Sequence, residues 1–182
     1  MRKAIIIDTS ILCVWLEVPG KETCGSDSDQ WDKVRVDNLL ENEKKNKSTV
    51  LVLPLATIVE TGNHIAQAAG PKRYKTAQDL ANLMKAAADE QTPWAAFSEQ
   101  SELWEAENLK KLADDWPNLA NQTTSMGDAT IKIVAEHYAQ KRYEVVILTG
   151  DKGLKAYEPI TRPPSPKGRR SEGEVRFKNQ NV

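Results

Sequence analysis

The order of apolar runs in this chain predicts an α/β fold built on a mainly parallel central sheet. Two runs carry most of that reading. Residues 4–7 (Ala-Ile-Ile-Ile) are apolar without alternation, the pattern of a strand buried on both faces. Residues 144–149 (Glu-Val-Val-Ile-Leu-Thr) form a second run rich in β-branched residues. Between them the apolar residues recur at helical spacing, so strands and helices alternate along the chain.

The elements are expected in the following order. Residues 10–17 predict a short helix stopped by Pro19-Gly20. Residues 20–30 read as loop, and residues 31–45 as a charged helix with Val34, Leu39 and Leu40 as its sparse apolar stripe. Residues 48–53 predict a strand, after which Pro54 opens a helix where proline is tolerated. In that helix Leu55, Ile58, Val59, Gly62, Ile65 and Ala66 define a packing face, with Glu60, His64 and Gln67 as a polar stripe beside it.

A helix over 71–90 follows, with Tyr74, Ala77, Leu80, Ala81 and Met84 in register. Residues 92–97 predict a short strand, and residues 98–116 an amphipathic helix ended by Pro117. Thr124-Ser125-Met126-Gly127-Asp128 starts a helix carrying Ile131, Val134, Ala135 and Tyr138. After the strand over 144–149, Gly150-Asp151-Lys152-Gly153 turns the chain. The composition changes at Pro159, and residues 159–182 read as a Pro-rich basic tail with a short edge strand over 174–177.

Length and composition bound the function. The 182 residues suit one domain with room for an insertion. An apolar content of 40% with 28% charged residues is that of a protein in water, and no apolar run approaches the ~20 residues of a membrane helix. With only a short apolar segment after Met1-Arg2-Lys3, the expected compartment is the cytoplasm. Cys13 and Cys24 form no Cys-x-x-Cys pair and have no matching histidine cluster, which argues against zinc. A formal net charge of −1 gives no global signal for nucleic acid.

The chemistry-bearing residues are carboxylates. Asp8 and Asp151 each follow a β-branched run, and in open α/β sheets the ligand crevice lies beyond the carboxyl ends of the strands. Each has a plainer reading: Asp8-Thr9-Ser10 as a helix cap, and Asp151 as a turn residue. Asp128 stands in a Ser-x-x-Asp capping box yet shares a helical stripe with Ile131 and Ala135. Glu60 lies on a polar stripe with His64 and, by spacing alone, reads as readily as a solvated residue. Four carboxylates and few histidines suit a hard divalent cation, Mg2+ or Mn2+, whose natural chemistry in such a cluster is phosphodiester hydrolysis.

The order of these motifs resembles the PIN-domain nucleases. The resemblance is carried by Ile7-Asp8-Thr9-Ser10, by Glu60 on a helix after a strand and Pro54, by Ser125-Met126-Gly127-Asp128-Ala129-Thr130-Ile131, and by Ile147-Leu148-Thr149-Gly150-Asp151-Lys152-Gly153-Leu154. It covers residues 3–157, which gives a domain over 1–158. The family implies a three-layer α/β/α sandwich and a divalent-metal-dependent endoribonuclease. Carried over by position, Asp8, Glu60, Asp128 and Asp151 hold the metal and do the catalysis, while Ser10 and Thr149 are supporting hydroxyls. The resemblance to toxin members of toxin–antitoxin pairs brings further expectations: an RNA substrate, an antitoxin-like regulatory partner and a homodimer. The charged stretch over 20–47 and the basic tail depart from those compact toxins.

The remaining residues concern substrate. Lys152, adjacent to Asp151, is the candidate contact to the scissile phosphate. After Pro159, Arg162, Lys167, Arg169, Arg170, Arg176 and Lys178 stand against Glu172 and Glu174, a local positive segment suited to a phosphate backbone and equally to a solvated tail. His64 reads as a surface or core residue, and four of the five tryptophans read as packing residues. Trp31 is the one that could meet RNA or a partner. The competing function is a PIN-like or metal-dependent module that binds nucleic acid or protein without cleaving. Asp8-Thr9-Ser10 begins like an Asp-x-Ser-x-Ser metal motif, but Leu12 replaces its second serine. Ser10 likewise excludes an Asp-x-Asp phosphatase, and the chain has no phosphate-binding Gly-rich Lys-Ser/Thr loop.

Overall fold

The computed structural model describes residues 2–160. The basic tail from Arg162 onward, with its expected edge strand, lies outside the described residues. Three parallel strands form the centre: β1 (Lys3–Ile7) between β4 (Thr49–Val52) and β5 (Glu144–Leu148). The register pairs Ile6 with Val52 on one side and with Ile147 on the other.

Side-chain alternation along these strands divides the core in two. Ile5, Ile7, Leu51 and Leu148 face one layer, where α1 (Thr9–Trp15), α2 (Lys33–Lys44), α3 (Leu55–Gln67) and α4 (Arg73–Ala88) contribute Ile11, Leu12, Val36, Leu40, Ile65 and Leu80. Ala4, Ile6, Val52, Val145 and Ile147 face the other, packed by Ile131, Val134, Ala135 and Tyr138 of α6 (Met126–Gln140). The result is the expected α/β/α sandwich. Fully burying side chains of this size contributes about 1.5–3 kcal/mol each, which is why the β1 run is apolar on both faces.

Several elements differ from expectation, each for a local reason. Residues 20–30 do not remain loop. Thr23–Ser26 (β2) and Asp29–Asp32 (β3) pair antiparallel, and Gly25 supplies a left-handed residue (φ +91°) that Cβ-bearing residues rarely adopt. Trp31 is therefore a strand residue, buried beneath the Arg35 guanidinium at 3.8 Å, and is not presented to a partner. The helix starts at Lys33, capped by Asp32, and buries Val36 and Leu40 while Val34 is exposed.

In α3 the buried face is Thr57, Thr61 and Ile65, with Leu55, Val59 and Ala66 turned outward. Thr57 takes the inner face because its Oγ1 donates to the Ile7 carbonyl at 2.9 Å at the end of β1. In α4 the buried stripe is Thr76, Leu80 and Ala87, leaving Tyr74, Ala77 and Met84 exposed.

Residues 92–97 make only one parallel bridge, Trp94 to Leu51, at the β4 edge. The expected helix over 98–116 is a 3-10 segment (Phe97–Trp104), a break at Glu105, and α5 (Ala106–Asn121). Pro117 lies inside α5 rather than ending it. An interior proline removes one N–H bond. Here Pro117 is exposed, and Trp116, Leu119 and Ala120 around it keep partial burial.

Candidate active site

The parallel sheet brings its carboxyl ends to one edge, and the site is built there. The Asp8 N–H donates to the Leu148 carbonyl at 3.0 Å, continuing the β1–β5 ladder by one residue. Asp8 is also the N-cap of α1, so the capping reading and the edge position hold together. Its Oδ2 accepts from Ser10 Oγ at 2.6 Å, from Ser10 N at 3.2 Å and from Thr149 Oγ1 at 2.8 Å. Ser10 Oγ in turn accepts from Gly150 N at 3.0 Å, and Thr149 Oγ1 accepts from Asp151 N at 2.9 Å. Ser10 and Thr149 thus tie the ends of β1 and β5 into one hydrogen-bonded unit.

Asp151 is the N-cap of a one-turn helix, α7 (Lys152–Lys155), where Oδ1 accepts from Gly153 N at 2.6 Å and Leu154 N at 3.3 Å. Asp128 completes the expected capping box: Ser125 Oγ donates to its Oδ2 at 2.8 Å, and its N–H donates to Ser125 Oγ at 3.0 Å. Glu60 enters from α3, where its Oε2 accepts from Thr9 Oγ1 at 2.8 Å. Its other oxygen lies against Gly127: a Cβ on Gly127 would stand 2.0 Å from Glu60 Oε1. The absence of a side chain there lets α3 set its carboxylate against the first turn of α6.

All four carboxylates line one cleft of about 310 Å3. Thr9, Ser10, Lys21, Cys24 and His64 also border it. Lys152 instead lines a neighbouring depression that shares Asp151 with the cleft. Lys21 carries no signal in the sequence, and Cys24, Thr9 and Gly127 are not assigned to the site there. Only Gly127, directly before an acid in a capping box, carried a local signal.

Asp8 is 6% exposed. Burial raises its carboxyl above the ordinary value of 3.8, and the hydrogen bonds from Ser10 and Thr149 pull it part of the way back. Burial likewise pushes the Cys13 thiol up to about 11 and raises that of Cys24, so neither thiol is activated. Among the described residues, no ion pair involves Asp8, Glu60, Asp128 or Asp151.

A hard divalent cation fits this donor set in kind, since four carboxylates share a cleft and lack cationic partners. The fit in position is incomplete. Among the described residues no three His, Cys, Asp or Glu side chains converge closely enough to enclose a metal ion. Like charges repel, and each carboxylate has turned one oxygen toward a nearby donor: Asp8 to Ser10 and Thr149, Glu60 to Thr9, Asp128 to Ser125, and Asp151 to Gly153 and Leu154. The sheet edge and the two helices bring the four acids together, and their rotamers keep them apart. Comparison with protein-family models, with curated proteins and with solved structures finds no match, so the cleft is interpreted from its own residues.

Proposed function

We propose that this chain is a divalent-metal-dependent endoribonuclease of the PIN type, hydrolysing RNA phosphodiester bonds at the acid-lined cleft. The observation that carries the reading is the meeting of Asp8, Glu60, Asp128 and Asp151, from four separate segments, around one cleft at the carboxyl edge of the sheet. Mg2+ or Mn2+ would be held by these four residues. When bound, the ion supplies an activated water and neutralises charge on the attacked phosphate and the leaving oxygen.

The chain's own residues prepare that site. Ser10 and Thr149 orient Asp8 from one side, leaving its orientation fixed before any ligand arrives. Thr9 orients Glu60. Burial of Asp8 disfavours its charged form, so a cation gains more there than beside a solvated carboxylate. Asp128 would have to leave its bond to Ser125 to serve a cation with that oxygen. The toxin or defence role, the antitoxin-like partner and the homodimer rest on the family resemblance alone.

The test is cleavage of a panel of RNAs and single-stranded DNAs in Mn2+, Mg2+ or EDTA, with wild type beside Asp8→Asn. Metal-dependent cutting of RNA that the substitution abolishes is the expected result. A folded, metal-binding protein that cuts nothing would replace this reading with the binding module.

A further inference from the structure

The cleft is strongly anionic, and a polyanionic substrate needs cationic contacts as well as metal. Among the described residues, Lys21 and His64 are the basic side chains bordering it. Lys21 sits in the loop between α1 and β2, after Gly20 in a left-handed turn (φ +81°), with its N–H bonded to the Val18 carbonyl at 2.8 Å. Lys21 and the Cys13 thiol border the same cleft. Among the described residues Lys21 makes no ion pair, so its charge is not already committed.

The β2–β3 hairpin that follows Lys21 is fixed against the site. A Cβ on Gly150 would stand 2.7 Å from both Cys24 Sγ and Gly25 N, so the hairpin backbone rests directly on the turn that leads to Asp151. Arg35 closes the hairpin from behind, with Nη2 2.7 Å from Asp29 Oδ1, Nη1 donating to the Gln30 carbonyl at 2.7 Å, and its guanidinium over Trp31. The hairpin is therefore held from both sides, and Lys21 lies two residues before its first strand. Lys152 borders the separate depression beyond it, which shares only Asp151 with the acid-lined cleft.

We infer that Lys21 is a phosphate-binding side chain of this cleft, presented by the turn between α1 and the β2–β3 hairpin. The inference rests on the nuclease reading for its substrate class. It is tested by binding rather than cleavage, so the two can fail separately. The probe is a fluorescein-labelled oligouridylate, with anisotropy measured in Mg2+ over a range of salt concentrations. The protein is the full chain carrying Asp8→Asn, with and without Lys21→Ala, Lys21→Arg, Lys152→Ala, or Lys85→Ala as a remote surface control.

Lys21→Ala is expected to weaken binding about tenfold. It is also expected to flatten the dependence of log K on log salt by about 0.7, the loss of one phosphate contact on a single strand. Lys21→Arg should restore both, which a purely structural role for Lys21 would not require, and Lys85→Ala should change neither. A Lys21→Ala variant with affinity and salt slope unchanged would overturn the inference, as would a larger loss from Lys152→Ala than from Lys21→Ala. No binding by the Asp8→Asn protein would overturn it too, whereas the nuclease reading stands or falls on wild-type cleavage.

Discussion

The two sides of the cleft hold their acids by different means. On the strand side, the Asp8 carboxylate and the Asp151 backbone N–H are joined through Ser10 and Thr149 at the ends of two adjacent strands, while the Asp151 carboxylate caps α7. Asp8 cannot turn without giving up bonds that tie β1 to β5. On the helix side, Glu60 hangs on one hydroxyl bond from Thr9, and Asp128 is engaged in capping its own helix. The strand side thus holds Asp8 by bonds that span two strands, and the helix side holds each acid by bonds to one residue, Glu60 to Thr9 and Asp128 to Ser125. A site that must admit and release a cation has use for both, the first to define the position and the second to close around the ion.

If the strand side defines the site, breaking it should cost most. Asp8→Asn and Asp151→Asn are each expected to reduce RNA cleavage to the level seen in EDTA, measured by gel on labelled RNA, with the circular dichroism spectrum unchanged. Asparagine is as good an N-cap as aspartate, so α1 and α7 should survive. Stability should separate from activity at Asp8. Burial raises its carboxyl, so the folded chain binds that proton more tightly than the unfolded chain. The stability linked to this proton is full below about 3.8 and is lost as pH rises through the raised value. In metal-free buffer at pH 7 Asp8→Asn should therefore melt above wild type, and the gap should close toward pH 3. A lower melting temperature at pH 7 would mean that the charged carboxylate is well accommodated.

Thr149→Val asks how much of the strand side depends on one hydroxyl. It removes a donor to Asp8 Oδ2 and the acceptor of the Asp151 N–H while nearly keeping shape. The expected loss is about 10–100-fold in cleavage, as for other residues that orient metal ligands. Chemical denaturation should report about 1–3 kcal/mol lower stability, because Asp151 N–H loses its partner.

The same contrast decides what was legible in the sequence. Where a residue's role is set by its own strand, the sequence shows it. Ala4–Ile7 is apolar throughout because both its faces are covered, and the acids after β1 and β5 follow from strand order alone. Where a role is set by packing between helices, the sequence misleads. In α3 the apolar spacing pointed to Leu55 and Val59, but the inner face carries Thr57 and Thr61, Thr57 because the end of β1 presents a carbonyl for it to satisfy. Gly150 allows a close approach to Cys24 and Gly25, far away in the chain, so the place of the hairpin and of Lys21 beside the acids could not be read locally. The four acids were identifiable from strand ends, a capping box and a family resemblance. Their present rotamers, each drawn to a neighbouring donor, were not.

Gly127→Ala tests the helix side where the contact is sharpest. The new methyl would fall on the Glu60 carboxylate, which can swing away because it is the far end of a flexible side chain. Glycine to alanine within a helix favours folding by up to about 1 kcal/mol, offset here by loss of the Thr9–Glu60 bond. Stability is therefore expected to change little while Mn2+ binding, followed by calorimetry, weakens about tenfold. Loss of folding instead would make Gly127 a packing residue for the α3–α6 contact, and unchanged Mn2+ binding would remove Glu60 from the ligand set.

The smallest effect should come from Ser125→Ala, and its direction is the informative part. The substitution deletes the side-chain half of the capping box on α6, worth about 1 kcal/mol of stability. It also frees Asp128 Oδ2 from the hydroxyl that now holds it at 2.8 Å. If Asp128 must give up that bond to hold a cation, the variant begins with the bond already absent, and Mn2+ should bind more tightly than to wild type despite the weaker helix. If Asp128 serves only its helix, stability falls by the same amount and metal binding does not follow it. Weaker Mn2+ binding would mean that the serine orients Asp128 for the ion, and the helix side of the cleft would then be as preformed as the strand side.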